Sequence, residues 1–381
     1  MSDVQRPVRF DQVIPSIVER DAVSHHTLEA QRVLRQMGFV SDIFALNHGP
    51  GLAGRVRPLD ELPRESGRRQ WLCYQLSIGS PAAEAVVGHP GPKVVDYHNI
   101  TPFELVEEWM PFLGEEVRLG RRQLAQLAPL CVLGMGDSGY NASELDTAGY
   151  QESAVAPLMV DQSNFRHVAD QQKQSVLLSR KAGGGADWLF VGQLLPHKAH
   201  HDVVKAFSCY LHAYDQKARL HLIGRESCPP YAAALHRLVA ELGLSGCIDL
   251  AGSVSAGELA AYYETADVFV CCSDHEGFCV PLLEAMIHRV PIVAYASAAV
   301  PETVLDAGVL LRTKEPALMA AAVARVLTDG ALRAELVERG AVRAGGFTLE
   351  RARQGFVDAI ESALATFLTP RSVRTPAGAS D

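Results

Sequence analysis

The sequence DHEGFCVPLLE at residues 274–284 follows the apolar run VFVCC at residues 268–272 and leads into AMI at residues 285–287. An apolar run rich in β-branched residues, a short polar turn with Gly277, and Pro281 where a helix can begin predict a buried parallel strand that feeds a helix N-terminus. Unpaired backbone N–H groups and the helix dipole favour a bound phosphate at such an N-terminus. The stretch therefore predicts an anion site at the carboxyl edge of a parallel sheet.

Two carboxylates bracket this junction. Glu276 lies in the turn, and Glu284 lies about one turn into the predicted helix. One can accept hydrogen bonds from hydroxyl groups beyond a bound phosphate, and the other from hydroxyl groups on the opposite side, as a sugar nucleotide requires. An acidic residue in the first turn of a helix is also stabilising without any ligand, so the pair alone leaves a purely structural role open.

Length, charge and cysteine usage bound the class of protein. At 381 residues the chain exceeds one core of ordinary size, so two domains are expected. The formal net charge is −9 and neither half is basic, so nucleic acid is not an expected partner. The eight cysteines show no C-x-x-C spacing, and neither a secretory signal nor an apolar run of membrane-spanning length is evident. We expect a cytoplasmic enzyme with reduced thiols.

Strands and helices alternate through the first half of the chain. This alternation predicts a parallel sheet wrapped by helices. Because ligands bind beyond the carboxyl ends of strands in such sheets, His98, near the end of the fourth strand, is a site candidate; a loop histidine that caps backbone explains the same position. The predicted strands cover residues 8–18, 41–46, 71–78 and 93–100, and the first helix covers residues 24–37.

The helical region at residues 103–127 carries Arg118, Arg121 and Arg122. If the helix rests this face on anionic lipid, the arginines give a weak peripheral contact at the inner face of a membrane. Solvated arginines on an ordinary surface helix explain the same spacing. The sequence leaves both interpretations open.

A glycine motif follows the apolar strand predicted at residues 130–133. Gly134, Gly136 and Gly139 match G-x-G-x-x-G, a helix follows, and a further strand ends at Asp161, where a dinucleotide fold places its ribose-binding acid. The alternative function is therefore an NAD(P)-dependent oxidoreductase that uses this turn. Against it, the motif lies after several strand–helix units, and the polar pair between its second and third glycines is equally suited to capping a helix.

The domain boundary is expected in the polar stretch at residues 162–186, which ends in three glycines at 183–185. A second series of strands and helices follows it. The predicted division is a first domain at residues 1–181, a second domain at 182–348, a helix at 349–368 that packs back on the first domain, and a disordered tail at 369–381.

Lys198 follows the strand predicted at residues 188–192 and is expected at the carboxyl edge of the second sheet, where its charge could neutralise a diphosphate. His197, His200 and His201 have near-metal spacing but lack a companion cluster of Cys, Asp or Glu ligands. The chain also has no D-x-D pair placed to hold a divalent cation against a diphosphate. No metal and no cofactor are expected.

The stretch from Glu276 to Glu284 resembles the E-x7-E motif of retaining glycosyltransferases with the two-Rossmann-domain (GT-B) fold, in particular the large family numbered 4. The resemblance covers most of the chain from about residue 10 to residue 368. Its C-terminal part is specific and its N-terminal part is weaker. It continues through FVG at 190–192, Lys198, Gly224, YY at 262–263, PET at 301–303 and YHNITP at 97–102.

This resemblance implies an α/β protein with two facing Rossmann-like domains and a deep interdomain cleft. The second domain would hold a nucleotide diphosphate sugar linked to GDP or UDP, and the first would bind a glycan or glycolipid acceptor, as in polysaccharide biosynthesis. The residue that matches Glu276 binds donor-sugar hydroxyls in the family, and those that match Glu284 and Lys198 bind the ribose and the diphosphate. The residue that matches His98 lies against the donor sugar. Transfer of a hexose would proceed with retention and without a metal.

The candidate site residues follow from this resemblance. His98, Glu276 and Lys198 are the catalytic candidates. The candidates for binding the nucleotide sugar are Gln193, Lys198, Gly277, Phe278, Cys279, Val280, Glu284 and Arg225. The candidates on the acceptor side are Asp21, Ser24 and Asn99.

The chain departs from the family pattern at two places. Gln193 stands where the family usually has Arg, and the sequence RDAVS at residues 20–24 stands where it usually has a glycine-containing turn. A charge-assisted hydrogen bond to a diphosphate is worth roughly 1.5–3 kcal/mol. Either a neighbour such as Arg225 or His197 compensates for Gln193, or activity is weak. A sugar-nucleotide-binding relative without efficient catalysis is therefore a third hypothesis.

Overall fold

The computed structural model of the protein describes residues 9–18, 21–64 and 69–368. Its first half alternates strands and helices. The strands are β1 (Arg9–Ile17), β2 (Ile43–His48), β3 (Arg57–Pro58), β4 (Gln70–Leu76), β5 (Lys93–Tyr97), β6 (Leu133–Gly136) and β7 (Ser153–Val155). The helices are α1 (Ala22–Gln36), α2 (Ala82–Val87), α3 (Pro111–Leu127), α4 (Gly139–Ala148) and α5 (Gln171–Lys181).

The second half repeats the alternation. Its strands are β8 (Asp187–Val191), β9 (Arg219–Ile223), β10 (Ile248–Gly252), β11 (Val268–Cys271), β12 (Ile292–Tyr295) and β13 (Gly308–Leu311). The helices among them and after them are α6 (His200–Ala213), α7 (Pro229–Glu241), α8 (Ala256–Thr265), α9 (Val280–Ile287), α10 (Val300–Val304), α11 (Pro316–Thr328), α12 (Gly330–Ala344) and α13 (Leu349–Leu368).

Each half forms one parallel sheet. Over the described ranges, the first sheet has seven strands in the order β3-β2-β1-β4-β5-β6-β7, and the second has six in the order β10-β9-β8-β11-β12-β13. All seven residues of β4 are buried, which matches a central strand covered by helices on both faces. The predicted α/β fold class with two parallel-sheet domains is confirmed.

The C-terminal helix α13 packs on the first domain. Phe356 and Ile360 share a buried cluster with Phe10 and Trp71, and Arg353 donates a hydrogen bond of 2.7 Å to Glu29 of α1. Helix α5 falls in the first domain of the predicted division, which ends at residue 181. In the structure it packs against α8, and its Leu177 belongs to the core of the second half. The start of the strand predicted at residue 8 and the tail predicted at 369–381 lie outside the described residues.

Several local expectations differ from the structure. The strand predicted at residues 130–133 lies three residues later, as β6 (Leu133–Gly136). The strand predicted at residues 155–160 is the three-residue edge strand β7, because the chain leaves the sheet before Pro157, which has no N–H to donate. The helix predicted from residue 103 begins at Pro111, after a short 3-10 turn at Phe103–Leu105. Strands β3 and β13 and helices α2 and α10 were not predicted, since elements of two to six residues carry little periodicity. Helix α5 was not predicted either, because its polar sequence was interpreted as part of the linker at residues 162–186.

The carboxyl edges of the two sheets face each other. Glu302 of α10 accepts hydrogen bonds from the backbone N–H groups of Gly139 and Tyr140 in the first domain, at 2.7 and 3.2 Å. Elsewhere along the cleft, the rings of Trp109 and Tyr231 meet edge to face with centroids 5.5 Å apart. Loops that follow strands of both domains therefore converge on one interdomain region.

Candidate active site

An ion pair between Lys198 and Glu276 lies at the carboxyl edge of the second sheet. Lys198 Nζ donates to both carboxylate oxygens of Glu276 at 2.8 Å. The Lys198 side chain keeps 21% of its surface exposed, against 8% for Glu276. Burial alone lowers the pKa of Lys198, but the charge of Glu276 outweighs it and raises the pKa, so the ammonium group stays charged. The structure thus brings together two residues that are 78 positions apart in the chain.

The loop that carries Glu276 is held by hydrogen bonds at several points. Asp274 N–H donates to the carbonyl of His197 at 2.8 Å, and Ala299 N–H donates to the carbonyl of Glu276 at 3.2 Å. The hydroxyl of Thr303 donates to the carbonyl of Phe278 at 2.6 Å. Because its backbone is fixed from both sides, the loop presents the Glu276 carboxylate in one orientation.

Helix α9 begins directly after this loop, as the sequence predicted. Cys279, the residue before it, adopts a left-handed conformation with φ 66°, and among the described residues no side chain caps the helix. Glu284 accepts a hydrogen bond of 2.8 Å from the hydroxyl of Tyr263. Burial raises the pKa of Glu284, and the bond from Tyr263 offsets this only in part. The helix therefore has an uncapped N-terminus flanked by two carboxylates.

The loops after β8 and β9 run against each other beside the ion pair. A Cβ atom at Gly224, whose φ is 154°, would lie 1.9 Å from the carbonyl oxygen of Gly192, so only glycine fits there. Gln193 Oε1 accepts a hydrogen bond of 2.7 Å from the hydroxyl of Ser227 and lies 3.5 Å from Nη2 of Arg225. The guanidinium of Arg225 therefore lies beside the position where the family pattern has Arg and this chain has Gln193.

The protonation of His98 follows from the hydrogen bonds around it. The amide of Gln12 donates to the carbonyl of Thr27 at 2.9 Å, so Gln12 Oε1 is the acceptor for the amide of Gln75, at 3.0 Å. Gln75 Oε1 then faces Nε2 of His98 at 2.6 Å, and the carboxylate of Asp137 faces Nδ1 at 3.1 Å. Both partners are acceptors, so both ring nitrogens donate and His98 is an imidazolium cation.

The charge of His98 is stabilised by two carboxylates. Burial by itself lowers the pKa of His98, but Asp137 and Asp96 outweigh it and raise the pKa to about 9. Only 1% of the His98 side-chain surface is exposed. In this structure His98 is therefore a buried cation, and its contact with the donor sugar stays a prediction.

The three acceptor-side candidates lie at the edge of the first sheet, but two of them have local roles. Asp21 accepts hydrogen bonds of 2.8 Å from the backbone and the hydroxyl of Ser24, and thereby caps α1. Ser24 is buried. Asn99 adopts φ 71°, and a Cβ atom at Gly277 would lie 2.7 Å from its Cβ atom. Asn99 is thus the candidate that meets the Glu276 loop across the cleft.

The glycine motif does not form a dinucleotide-binding turn, so the structure corrects that interpretation. Gly134 and Gly136 lie within β6, and a Cβ atom at Gly136 would lie 2.8 Å from the backbone N of Ala142 in α4. These glycines allow close packing of strand and helix. The N-terminus of α4, where a pyrophosphate would bind, is occupied by the carboxylate of Glu302.

Sequence reasoning missed the partners of the predicted residues. Asp137 and Gln75 hold His98, Tyr263 holds Glu284, and Glu302 joins the domains. Asp137 could have been predicted from its position, since it directly follows β6 and His98 directly follows the neighbouring strand β5. The other three contacts join residues from distant parts of the chain, and no spacing predicts them.

A cavity of about 390 Å³ lies between the domains beside the Asp274 end of the Glu276 loop. It has an acidic and aromatic side from the first domain and a mostly apolar side from the second. Its lining residues are Glu104, Leu105, Glu108, Trp109, Pro196, His201, Lys205, Tyr231, Ala234, Leu235, Leu238 and Asp274.

Comparison with known proteins gives a family match for the second half of the chain. Residues 178–343, which include the Lys198–Glu276 pair and α9, match the family described as glycosyl transferases group 1. The structure of HepE from Anabaena in complex with UDP and glucose superposes on this chain with a TM-score of 0.71 at 14% identity, covering 93% of this chain and 100% of that one. That likeness shows the GT-B fold.

Two curated relatives illustrate the sequence similarity of this chain to known proteins. D-inositol 3-phosphate glycosyltransferase of Kineococcus radiotolerans is 28% identical over 60% of this chain and 56% of its own length. The protein of the same name from Frankia alni is 29% identical over 92% of this chain and 96% of its own length. For the first three relatives, the chain spans about half of their length. Over residues 9–18, 21–64 and 69–368, every helix is too short or too polar to cross a bilayer.

Proposed function

We propose that this protein transfers a hexose from a UDP- or GDP-linked sugar to a hydroxyl group of a glycan or glycolipid acceptor. The ion pair between Lys198 and Glu276 carries the proposal. When the donor binds, the Lys198 ammonium moves onto the diphosphate, and the freed Glu276 carboxylate accepts hydrogen bonds from the sugar hydroxyls. A nucleotide sugar can thus replace the contact between Lys198 and Glu276 with one contact to each residue, from the diphosphate to Lys198 and from the sugar hydroxyls to Glu276.

The proposed chemistry uses fixed charges. Negative charge grows on the leaving diphosphate while the sugar becomes oxocarbenium-like, so donors aimed at the diphosphate lower the barrier. Lys198, Arg225 and the N–H groups at the start of α9 are those donors, and Glu284 accepts hydrogen bonds from the ribose. In the proposal the acceptor attacks from the face that the diphosphate leaves, with retention. Neither a protein nucleophile nor a metal takes part.

His98 takes a different part in this proposal from the one that the family resemblance implies. An imidazolium whose two N–H groups are both engaged has no lone pair, so it cannot act as a general base. Asp137 and Asp96 offset its charge, so in this proposal His98 fixes the start of the loop that carries Asn99. The acceptor hydroxyl approaches past Asn99, from the side of the first domain.

The proposal includes a weak contact of α3 with an anionic membrane surface. Phe112 is 90% exposed at the start of α3, and Arg122 is exposed on the same helix. Arg118 and Arg121 are paired with Glu107 and Glu144, so they are less available to lipid than the sequence suggested. Phe112→Ser should reduce cosedimentation with phosphatidylglycerol vesicles; equal sedimentation of both proteins would remove the contact from the proposal.

The test of the function is a transfer assay with UDP- and GDP-linked hexoses in the presence of EDTA, paired with thermal unfolding. We expect one nucleotide to raise the melting temperature without added magnesium and its sugar to be transferred to a glycan or glycolipid mixture. Stabilisation by a nucleotide without transfer from any sugar would favour the binding relative without catalysis. No stabilisation by either nucleotide, together with no transfer from any of these sugars, would overturn the proposal.

A further inference from the structure

Two clusters in the described part of the chain bring together side chains of the kind that bind metals. They are His26, Asp96 and His98 in the first domain, and Cys271, Glu276 and Cys279 in the second, and all six residues are buried. Within each cluster the candidate ligand atoms lie within 4.8 Å of one another. A metal needs a free lone pair on each of its ligands, so the hydrogen bonds of each cluster decide whether it can bind one.

The histidine cluster has no ring lone pair to offer. His26 Nδ1 accepts a hydrogen bond of 3.0 Å from the N–H of Met159, so its Nε2 carries the proton that faces Asp96 at 2.8 Å. His98 is the imidazolium cation described above and donates from both nitrogens. Asp96 is then the one member of this cluster with a lone pair to offer, which is too few for a metal site.

The cysteine cluster is different, and the geometry points to a binding site for a thiophilic divalent cation such as Zn²⁺. We propose that the cation is held by the sulfur atoms of Cys271 and Cys279 and by one carboxylate oxygen of Glu276. It would act as an inhibitor and not as a cofactor. Cys271 ends β11 and Cys279 immediately precedes α9, so both ends of the Glu276 loop supply a sulfur ligand.

The ligand set suits zinc in type and size. Zinc binds thiolate sulfur at about 2.3 Å and carboxylate oxygen at about 2.0–2.2 Å, and a site with three protein ligands keeps a fourth position for water. Tetrahedral bonds of this length put ligand atoms about 3.5–3.8 Å apart, so atoms already within 4.8 Å need to move by about 1 Å. Two sulfur ligands select zinc or cadmium over magnesium or calcium, which prefer oxygen.

Charge and protons balance in the proposed site. The two thiols lose their protons to solvent when the cation binds, so two thiolates and one carboxylate face a charge of two on the metal, and Lys198 neutralises the remaining negative charge. Because two protons are released, the apparent affinity rises by up to about a hundredfold per pH unit while both thiols are protonated in the free protein. Entry is from the side of Lys198, whose side chain keeps 21% of its surface exposed.

The inhibitory effect rests on the proposed function. Glu276 cannot hold the cation and the donor-sugar hydroxyls with the same oxygen atoms, and Lys198 must leave one of these oxygens when the cation binds. Occupation by the cation and by the nucleotide sugar is therefore mutually exclusive. Zinc should raise the apparent KM for the donor while leaving turnover at saturating donor unchanged.

The binding test does not depend on the function. Cd²⁺ is titrated into the full chain with a phosphine reductant present, and the ultraviolet sulfur-to-cadmium charge-transfer band is followed. We expect one tightly bound cation per chain, with affinity at least about tenfold weaker in Cys271→Ser and in Cys279→Ser. Cys272→Ser, a buried neighbour outside the cluster, is the matched control and should bind like the natural protein. Thermal melting checks that each variant is folded. If one of the two serine variants is unfolded, Cys279→Ala is used in its place.

The inhibition test then separates the metal site from the function. Cys271→Ser should keep donor transfer and lose the inhibition by zinc, since Cys271 belongs to the cation site and not to the donor contacts. A cadmium band of equal strength in both serine variants, or no band in the natural protein, would overturn the site. Binding of cadmium with no competition against the donor would overturn the inhibitory role. If no sugar is transferred, the absorption titration still decides the metal site, and only the function fails.

Discussion

The two sheet edges that meet in the cleft use their charged groups in opposite ways. On the second domain, the charged groups of Lys198 and Glu276 pair with each other and with no other charged group of the described ranges, and Lys198 is partly exposed. On the first domain, the His98 side chain is buried, and its ring nitrogens are engaged by Gln75 of β4 and by Asp137, which follows β6. In the proposed function the exposed ion pair is the one that a ligand replaces, whereas the buried network fixes the charge of His98 in place.

The largest effect is expected from breaking the buried side of this comparison. Asp137→Asn leaves the His98 imidazolium without its nearest countercharge, and losing one partner of a buried ion pair costs about 3–5 kcal/mol. The free energy of unfolding in urea should fall by that amount. Asp306→Asn removes a carboxylate that is 72% exposed and is the matched control, with a change below about 0.5 kcal/mol. An equal effect of both variants would mean that His98 is neutral.

Changes at the Lys198–Glu276 pair of the second domain should alter turnover and not the free energy of unfolding. In the natural protein the hydrogen bonds from the donor sugar to Glu276 are expected to become stronger in the transition state. Glu276→Gln weakens these bonds, so kcat should fall by about 10²–10³ while nucleotide affinity changes little. Steady-state kinetics with the donor that the transfer assay identifies measure kcat, and calorimetric titration of its nucleotide measures the affinity.

Glu335→Gln changes an exposed glutamate of α12 in the same way and should leave both quantities unchanged. A fall in nucleotide affinity equal to the fall in kcat would show that Glu276 contacts the nucleotide itself. The placement of Glu276 against the donor sugar would then be wrong.

A smaller effect is expected where Arg225 stands beside Gln193. Arg225→Ala should weaken nucleotide binding by about tenfold, because an exposed guanidinium contributes one charge-assisted hydrogen bond to the diphosphate. Adding Gln193→Arg to that variant should restore affinity, whereas Gln193→Arg alone should not increase it, since two guanidinium groups would compete for one space. Calorimetric titration at two salt concentrations tests both; tighter binding by Gln193→Arg alone would show that Arg225 does not fill the space beside Gln193.

The smallest effect is a pH dependence of the unfolding free energy that arises from His98 in the first domain. The pKa of His98 is about 9 in the folded protein and lies above the ordinary value of 6.5. Its contribution to stability is therefore fully present below about pH 6.5 and is lost as the pH rises through about 9, with a slope that approaches about 1.4 kcal/mol per pH unit. The difference in unfolding free energy between the natural protein and His98→Gln should shrink across this window. A constant difference would contradict the imidazolium assignment.

Local sequence determined much of the second domain and its half of the site. The strand, turn and helix around Glu276 form as predicted because apolar β-branched residues, Gly277 and Pro281 act over a few neighbouring positions. Lys198 was predicted at the same edge because it follows a strand of the same parallel sheet, and strands of one direction end at one edge. The fold class followed from the alternation of strands and helices for the same reason.

Tertiary structure alone decided the roles that depend on meeting partners. The end of β6 is set by its pairing with β5, which draws Gly134 and Gly136 into the strand and removes the dinucleotide turn that their spacing suggested. The charge of His98 depends on acceptors from other strands, and the cluster of Cys271, Glu276 and Cys279 closes only because the loop folds back between its own ends. Spacing along a chain determines local conformation, whereas protonation and ligand geometry depend on which distant groups packing brings within a few ångströms.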